Sequence, residues 1–250
     1  MDYLAKKNSH PNDEHITFEE GPHIYTIDGD SSFKSVTQFI HSFFNKFDAD
    51  KALNMVFKSK NRKKKYGDMT REEIKASWAD CGKKASTAGT QLHECIECFY
   101  NGCPRENNSI EYGYFLDFAK KYSNLMPYRT EWMIYDKDFR LAGSIDMIFE
   151  NEDGTLSIYD WKRIKELKRT NGFGDWALLP EIDYIPDSNF WHYSLQLNMY
   201  KRILEKNYDK KIKDMYLVCL HPINKKFLKI KVKPLDNEIT ILLNTRTELG

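Results

Sequence analysis

The sequence has no apolar run longer than the six residues Met215 to Leu220, far short of the roughly 20 that a membrane-spanning helix needs. The opening residues Met1-Asp2-Tyr3-Leu4-Ala5-Lys6-Lys7 lack the apolar stretch of a signal peptide, and no arginine precedes Arg62, so neither a secretory nor an Arg-rich transit peptide is expected. Cysteines number five, too few and too odd for a disulfide framework; free thiols and an intracellular setting (cytoplasm, nucleus or a virus-infected cell) are expected. Arginine is sparse, 9 against 29 lysines, a bias that suits an AT-rich genome. No internal repeat is visible. Net charge is only +1, which by itself selects no partner.

What is present is a core. Hydrophobic residues make up 41% of the 250, with 15 Phe, 15 Tyr and 5 Trp, which excludes disorder, collagen-like repeats and coiled coil. The length suits one catalytic domain with helical decoration. Charge is unevenly spread: residues 51 to 65 hold seven bases and no acid, and 162 to 169 hold five bases against Glu166. Clustered Lys and Arg are what phosphate contacts require, although a solvated face or an address label has the same composition.

Ile16 to Asp28 alternates around Gly21-Pro22 and predicts a hairpin. Phe39, Ile40, Phe43, Phe44 and Phe47 follow Ser35 at helical spacing, and Asp48 can cap a second helix. A capping box of Thr70 and Glu73 starts a long helix, with kinks expected near Gly82 and Gly89 and a stop at Asn101-Gly102; another helix covers Ser109 to Asn124. The period then becomes two: Glu131 to Tyr135, Phe139 to Glu150 and Thr155 to Lys162 predict strands. Residues 163 to 192 predict an irregular insertion, followed by a helix Tyr193 to Lys206, strands Asp214 to Leu220 and Lys226 to Val232, and a helix from Asp236. The organisation expected is a single domain over 1–250: an N-terminal hairpin and helical decoration (1–70), a core (71–233) carrying the 163–192 insertion, and a C-terminal helix (234–250).

In Asp160-Trp161-Lys162 the strand period puts a carboxylate and an ammonium on one face and Trp161 on the other. Asp146 interrupts a face of small residues on the preceding strand. Asp146 and Asp160 share a face only if the turn between the strands has an odd number of residues, which Glu152-Asp153-Gly154 supplies. Two carboxylates beside a lysine form the oxygen-rich setting that Mg²⁺ or Mn²⁺ takes. Gly89, His93 and Glu97 lie four apart on one helix face, so His93 can add an imidazole, with glycine leaving room beside it.

The ordered set Gly89-x-x-x-His93, Glu131, Gly143-x-x-Asp146, Asp160-x-Lys162 and Gln196-x-x-x-Tyr200, running from about Ser35 to Tyr200, resembles the RecB-like branch of the PD-(D/E)XK nucleases, which includes CRISPR-associated exonucleases and the mitochondrial genome maintenance exonuclease. Ser35-Val36-Thr37 resembles a segment near the start of the mitochondrial enzyme. Ile145 replaces the proline of the superfamily name, and the insertion between Lys162 and Gln196 departs from the pattern. The resemblance implies an α/β fold with a mixed central sheet flanked by helices, and phosphodiester hydrolysis by a metal-dependent enzyme. It assigns Asp146, Asp160, His93 and the Trp161 carbonyl to the metal, Lys162 to the attacking water or the phosphoryl oxygens, and Gln196 and Tyr200 to bracing Lys162 or a phosphate. Glu97 and Glu131 are candidates for a second metal or for support, and Ser35 and Thr37 for a phosphate at a helix start, with surface pairing and plain capping as the simpler readings.

A DNA exonuclease preferring single-stranded ends is therefore expected, in replication, repair or recombination. The alternatives are an endonuclease on structured DNA or RNA, and an inactive nucleic-acid-binding protein. Cys95, Cys98 and Cys103 stand near His93, whereas the similar proteins that carry an iron-sulfur cluster place three cysteines together after the nuclease motifs; here only Cys219 lies beyond Lys162, so the resemblance implies no cluster. Gly82-Lys83 lacks the earlier glycine of a phosphate-binding loop, Ser77 standing there, so no nucleotide cofactor is expected either.

Overall fold

A computed structural model describes residues 2–172 and 174–247. In chain order the elements are α1 (Tyr3–Lys7), β1 (Ile16–Glu19), β2 (Ile24–Ile27), β3 (Lys34–Ser35), α2 (Val36–His41), α3 (Ala49–Lys58), α4 (Arg62–Tyr66), α5 (Arg71–Tyr100), α6 (Ile110–Lys121), β4 (Met126–Asp136), β5 (Leu141–Glu150), β6 (Leu156–Lys162), α7 (Asn189–Asn207), β7 (Ile212–Cys219), β8 (Leu228–Val232) and α8 (Asp236–Thr247). They form two compact units, Met1–Asn45 with Leu92–Gly250, and Lys46–Gln91. No helix among the described residues is long and apolar enough to cross a membrane.

The larger unit is a mixed α/β fold whose central sheet is flanked by helices. One apolar cluster packs α2, α7 and α8 on the sheet through residues such as Phe39, Leu197, Leu242, Ile148 and Leu217. A second packs Leu92, Ile96, Phe115 and Phe118 of α5 and α6 against Met147, Phe149, Tyr159 and Trp161. Covered on both sides, β5 is buried almost throughout; between Leu141 and Phe149 only Ser144 and Asp146 are incompletely buried. Two polar residues on an otherwise closed strand mark where the packing opens.

Pairing explains the opening. Strand β4 lies antiparallel along the whole of one edge of β5. The other edge is shared: β3 takes Leu141 and Ala142 in parallel, while β6 takes Met147 to Glu150 antiparallel and pairs no further than Met147↔Tyr159. On its other edge β6 pairs β7 along its whole length, and past Tyr159 that is the pairing it keeps, with Asp160↔Leu217 and Lys162↔Cys219 in register. Residues 143 to 146 of β5 thus face a gap on that edge. The turn joining β5 to β6 behaves as the spacing requires: Asn151 N–H donates to Thr155 O (2.8 Å) and Gly154 has φ +75°, so Asp146 and Asp160 stand one residue beyond the last pair, Met147↔Tyr159, each on its own strand.

Several boundaries differ from those expected. Strand β4 begins at Met126 rather than Glu131 because Pro127 occurs at a register shift, where a missing N–H costs no ladder bond. Helix α7 begins at Asn189, since Phe190 already contributes to the core. Helix α5 runs unbroken through Gly82 and Gly89; an isolated glycine costs a helix only about 1 kcal/mol. The 163–192 segment is held down by buried Ala177, Ile182 and Ile185 and by Leu178 N–H donating to Phe43 O (2.8 Å).

The smaller unit is helical. Asp48 Oδ1 accepts from Asp50 and Lys51 N–H (2.8 and 3.0 Å), and Thr70 and Glu73 form the anticipated reciprocal cap (2.7 and 3.2 Å). Its apolar centre is small, with Leu53 and Ile74 fully buried. The guanidiniums of Arg62 and Arg71 lie over the Phe57 ring, at 4.1 and 5.0 Å. The segment 46–91 contains twelve basic and six acidic residues, whereas the rest of the chain has 26 basic and 31 acidic. The charge segregation therefore coincides with a structural unit.

Candidate active site

Asp146 reaches across the gap, its Oδ2 accepting the Trp161 N–H at 2.8 Å. On the far side of β5, Glu131 falls between the pairs Thr130↔Met147 and Trp132↔Ile145, opposite Asp146, with a left-handed φ of +43°. A bulky residue in that region is strained, and such strain persists only where the surroundings impose it. Ser144 Oγ donates to Glu131 Oε2 (3.2 Å). From α5, His93 completes the group: its Nδ1 lies 3.6 Å from Glu131 and 3.7 Å from Asp146, and its Nε2 donates to the Trp161 carbonyl at 2.9 Å. One ligand atom each from His93, Glu131 and Asp146 falls within a 4.8 Å span.

The charges in this cluster call for a cation. Burial opposes protonation of His93, yet Asp146 and Glu131 outweigh it and raise the imidazole to about 9. Burial raises Asp146, with Glu131 adding to it against His93 and Lys162. Burial, Glu131 and Asp146 together push the Tyr25 phenol of β2 to about 12. A protonated imidazole between two carboxylates occupies the electrostatic place of a divalent ion, and a donor set of one imidazole and two carboxylates suits Mn²⁺ or Mg²⁺.

Asp160 and Lys162 form a second, adjoining pair. Asp160 is 2% exposed, and Lys162 Nζ lies 2.8 and 2.7 Å from its two carboxylate oxygens. Burial raises Asp160 to about 6, Asp146 adding to it against Lys162. Burial alone would lower Lys162, but Asp160 and Asp146 hold it above its usual range, so it stays an ammonium. Its Nζ also lies 4.7 Å from the centre of the Tyr193 ring. Trp161 points the other way, 1% exposed among Phe115, Phe118 and Tyr159.

Helix α7 supplies the next wall. Tyr200 packs so tightly on β5 that a Cβ at Gly143 would come within 2.6 Å of its ring. Its hydroxyl accepts from Gln196 Nε2 (2.9 Å), which also donates to Thr37 Oγ1 (3.1 Å). Gln196 and Tyr200 thus brace α2 and each other rather than Lys162. A cavity of about 320 Å³ opens beside Lys162, lined by Thr37, His41, His192, Tyr193 and Gln196 among others.

The expected residues therefore separate. His93, Glu131 and Asp146 converge; Asp160 and Lys162 adjoin them; the Trp161 carbonyl is engaged by His93. Glu97 is outside the converging triad, with burial and Glu131 raising its carboxyl. Ser35 is a cap, accepting from Gln38 N–H at 3.1 Å, whereas Thr37 faces the cavity. A Cβ at Gly89 would meet nothing within 4 Å, so the close approach in these motifs belongs to Gly143. Phe190 of the insertion is buried beneath Arg169 (4.0 Å), which withdraws it from base stacking; Trp176 and Tyr184 are about half exposed. Sequence reading passed over His41, His192 and Tyr25, although Thr37/His41 and His192/Gln196/Tyr200 each repeat at one helical turn.

No family model and no curated protein matches the chain. Among solved structures, a protein of Eubacterium rectale described as a candidate exonuclease superposes with a TM-score of 0.41 and 14% identity, over 64% of this chain and 63% of its own. This chain thus spans less than two thirds of that protein. The protein SSO0001 gives a TM-score of 0.36 and 15% identity over 100% of this chain and 83% of its own. Likeness at this level carries no functional weight, so the chemistry rests on the chain's own residues. These define a mixed α/β protein with a candidate divalent-metal centre beside a buried lysine–aspartate pair.

Proposed function

We propose that the chain is a metal-dependent nuclease of the RecB-like, PD-(D/E)XK type, acting as a DNA exonuclease with a preference for single-stranded ends. The observation that carries this reading is the convergence of His93, Glu131 and Asp146 next to the Lys162–Asp160 pair, where β6 leaves β5. Three ligand residues with a neighbouring buried ammonium suit an attack on a phosphodiester, whose charge must be matched on both sides of the phosphorus.

In the proposed reaction, water adds to phosphorus and the ester P–O bond breaks, the attacking water losing a proton to solvent and the departing oxygen taking one up to leave as a hydroxyl. His93, Glu131 and Asp146 would hold Mg²⁺ or Mn²⁺, with Asp160 and the Trp161 carbonyl next to them. The bound ion supplies Lewis acidity and a lowered pKa for water. Lys162, fixed by Asp160, presents an ammonium to the phosphoryl oxygens as their charge grows. Trp161 N–H holds Asp146 in orientation, and Tyr200 on Gly143 sets the depth at which Gln196 and Thr37 line the floor.

The test is digestion of end-labelled linear single strands, duplex, circular single strands and RNA with Mg²⁺ or Mn²⁺. Degradation of linear single strands with circles resisting is expected. Efficient cutting of circles would replace the exonuclease reading by the endonuclease alternative, and RNA as the better substrate would replace DNA. Binding without cleavage in either metal would leave a nucleic-acid-binding protein.

A further inference from the structure

The cavity beside Lys162 contains a group of rings that the metal centre does not use. His41, at the end of α2, and His192, on α7, stand with ring centres 5.1 Å apart, and His192 lies 4.2 Å from Phe44. Tyr193 adds a third lining ring. The wall carries little free positive charge: Lys162 is tied to Asp160, and burial, with His41 beside it, pushes the His192 imidazole down to about 4, so it is neutral, its Nε2 2.9 Å from Asp187 Oδ1. Partial desolvation also depresses the His41 imidazole, exposed as the side chain is, with Asp187 opposing it. A cavity so balanced offers no spare positive charge to a further phosphate.

It does offer flat apolar faces and acceptors. Gln196 commits its amide N–H groups to Thr37 and Tyr200, leaving Oε1 with no donor among the described residues. At about 320 Å³ the volume is at the lower end of small-molecule sites, the size class of a single nucleotide unit. Rings for stacking, an amide oxygen for an edge and a charge-neutral wall are the features that accept a nucleobase.

We infer that the cavity seats one unpaired base of the nucleotide adjoining the cleaved phosphodiester, stacked against His41 and His192, with Gln196 at its edge. The inference rests on the nuclease reading and deepens it: a base held there has left any double helix, so the requirement for a single strand is built into the wall of the site. His41 and His192 are then residues that select the substrate and take no part in the hydrolysis.

The test is metal-free binding, which separates this inference from catalysis. Short single strands of about ten nucleotides, within the usual site size, carry one abasic residue moved a position at a time, and affinity is read by fluorescence anisotropy. One position should lose roughly 5- to 150-fold in affinity, the range for removing a stacked base. His41→Ala, whose side chain is exposed and makes no described hydrogen bond, should shrink that loss about 3-fold or more, and His41→Phe should restore it. Uniform tolerance of abasic residues overturns the inference, as does a position-specific loss unchanged in His41→Ala. If intact single strands do not bind at all, the nuclease reading falls first and the inference with it.

Discussion

Gly143→Ala and Gly89→Ala are the same change at two motif glycines, and the structure gives them opposite signs. At Gly143 the new methyl would lie 2.6 Å from Tyr200 Cε1, 3.0 Å from its hydroxyl and 3.1 Å from Cζ. Tyr200 has no room to retreat: it is 3% exposed and its hydroxyl is tied to Gln196. Overpacking of this kind costs about 1–3 kcal/mol. For a chain of this size each kcal/mol moves Tm by about 2–4 °C, so a fall of roughly 2–12 °C is expected in thermal unfolding followed by circular dichroism. At Gly89 a methyl meets nothing within 4 Å, and alanine is the better helix former by about 1 kcal/mol, so Tm should hold or rise slightly. Tyr200→Leu should absorb part of the Gly143→Ala penalty in the double variant, because the clashing ring is gone. The reasoning is refuted if Gly143→Ala melts at or above wild type, or if Gly89→Ala is the more damaging of the two.

Asp146→Asn, Asp160→Asn and Lys162→Ala should each lower cleavage by about 10² or more while the far-ultraviolet spectrum stays native; near-normal turnover in any of them would remove that residue from the chemistry. Because metal binding needs a neutral imidazole and His93 in the metal-free protein keeps its proton up to about 9, Mn²⁺ must displace it. Affinity should therefore rise with pH between about 6.5 and 9, and calorimetry in buffers of different ionisation enthalpy at pH 7.5 should register release of about one proton; no release would contradict the proximity of His93 to the ion. Neutralising Lys58, Lys60, Lys63, Lys64 and Lys65, all exposed, should weaken single-strand binding uniformly across sequences and flatten its salt dependence by about 0.7 per lost phosphate contact, leaving turnover at saturation intact; unchanged affinity and slope would make the stretch a solvated surface.

Local rules carried much of the fold into view. The Ser35, Asp48 and Thr70–Glu73 caps form as the sequence predicts, since each depends on atoms two or three residues apart. The register of Asp146 and Asp160 followed from one odd-numbered turn ending in Gly154. What stayed hidden depends on distant contacts. Nothing within reach of Glu131 in the chain shows that its backbone adopts φ +43° opposite Asp146, or that it joins His93 where Asp160 was anticipated to converge with it. The purpose of Gly143 is visible only once Tyr200 is laid upon it, and Pro127 disguises the first five of the eleven residues of β4. In 162–169, where five bases suggested a phosphate surface, Lys162, Arg163 and Arg169 are committed to Asp160, Glu111 and Phe190. Composition records charge but not its partner.

The central claim is that His93, Glu131 and Asp146 hold one divalent ion on which cleavage depends. Its most direct test is a Mn²⁺ titration of the metal-free protein, with ion binding and single-strand cleavage measured in the same samples for wild type, Glu131→Gln and Asp146→Asn. The account predicts that cleavage appears as the site fills and that both variants weaken Mn²⁺ about 10-fold or more. Cleavage at the wild-type rate in excess chelator, or Mn²⁺ affinity unchanged in both variants, would contradict it.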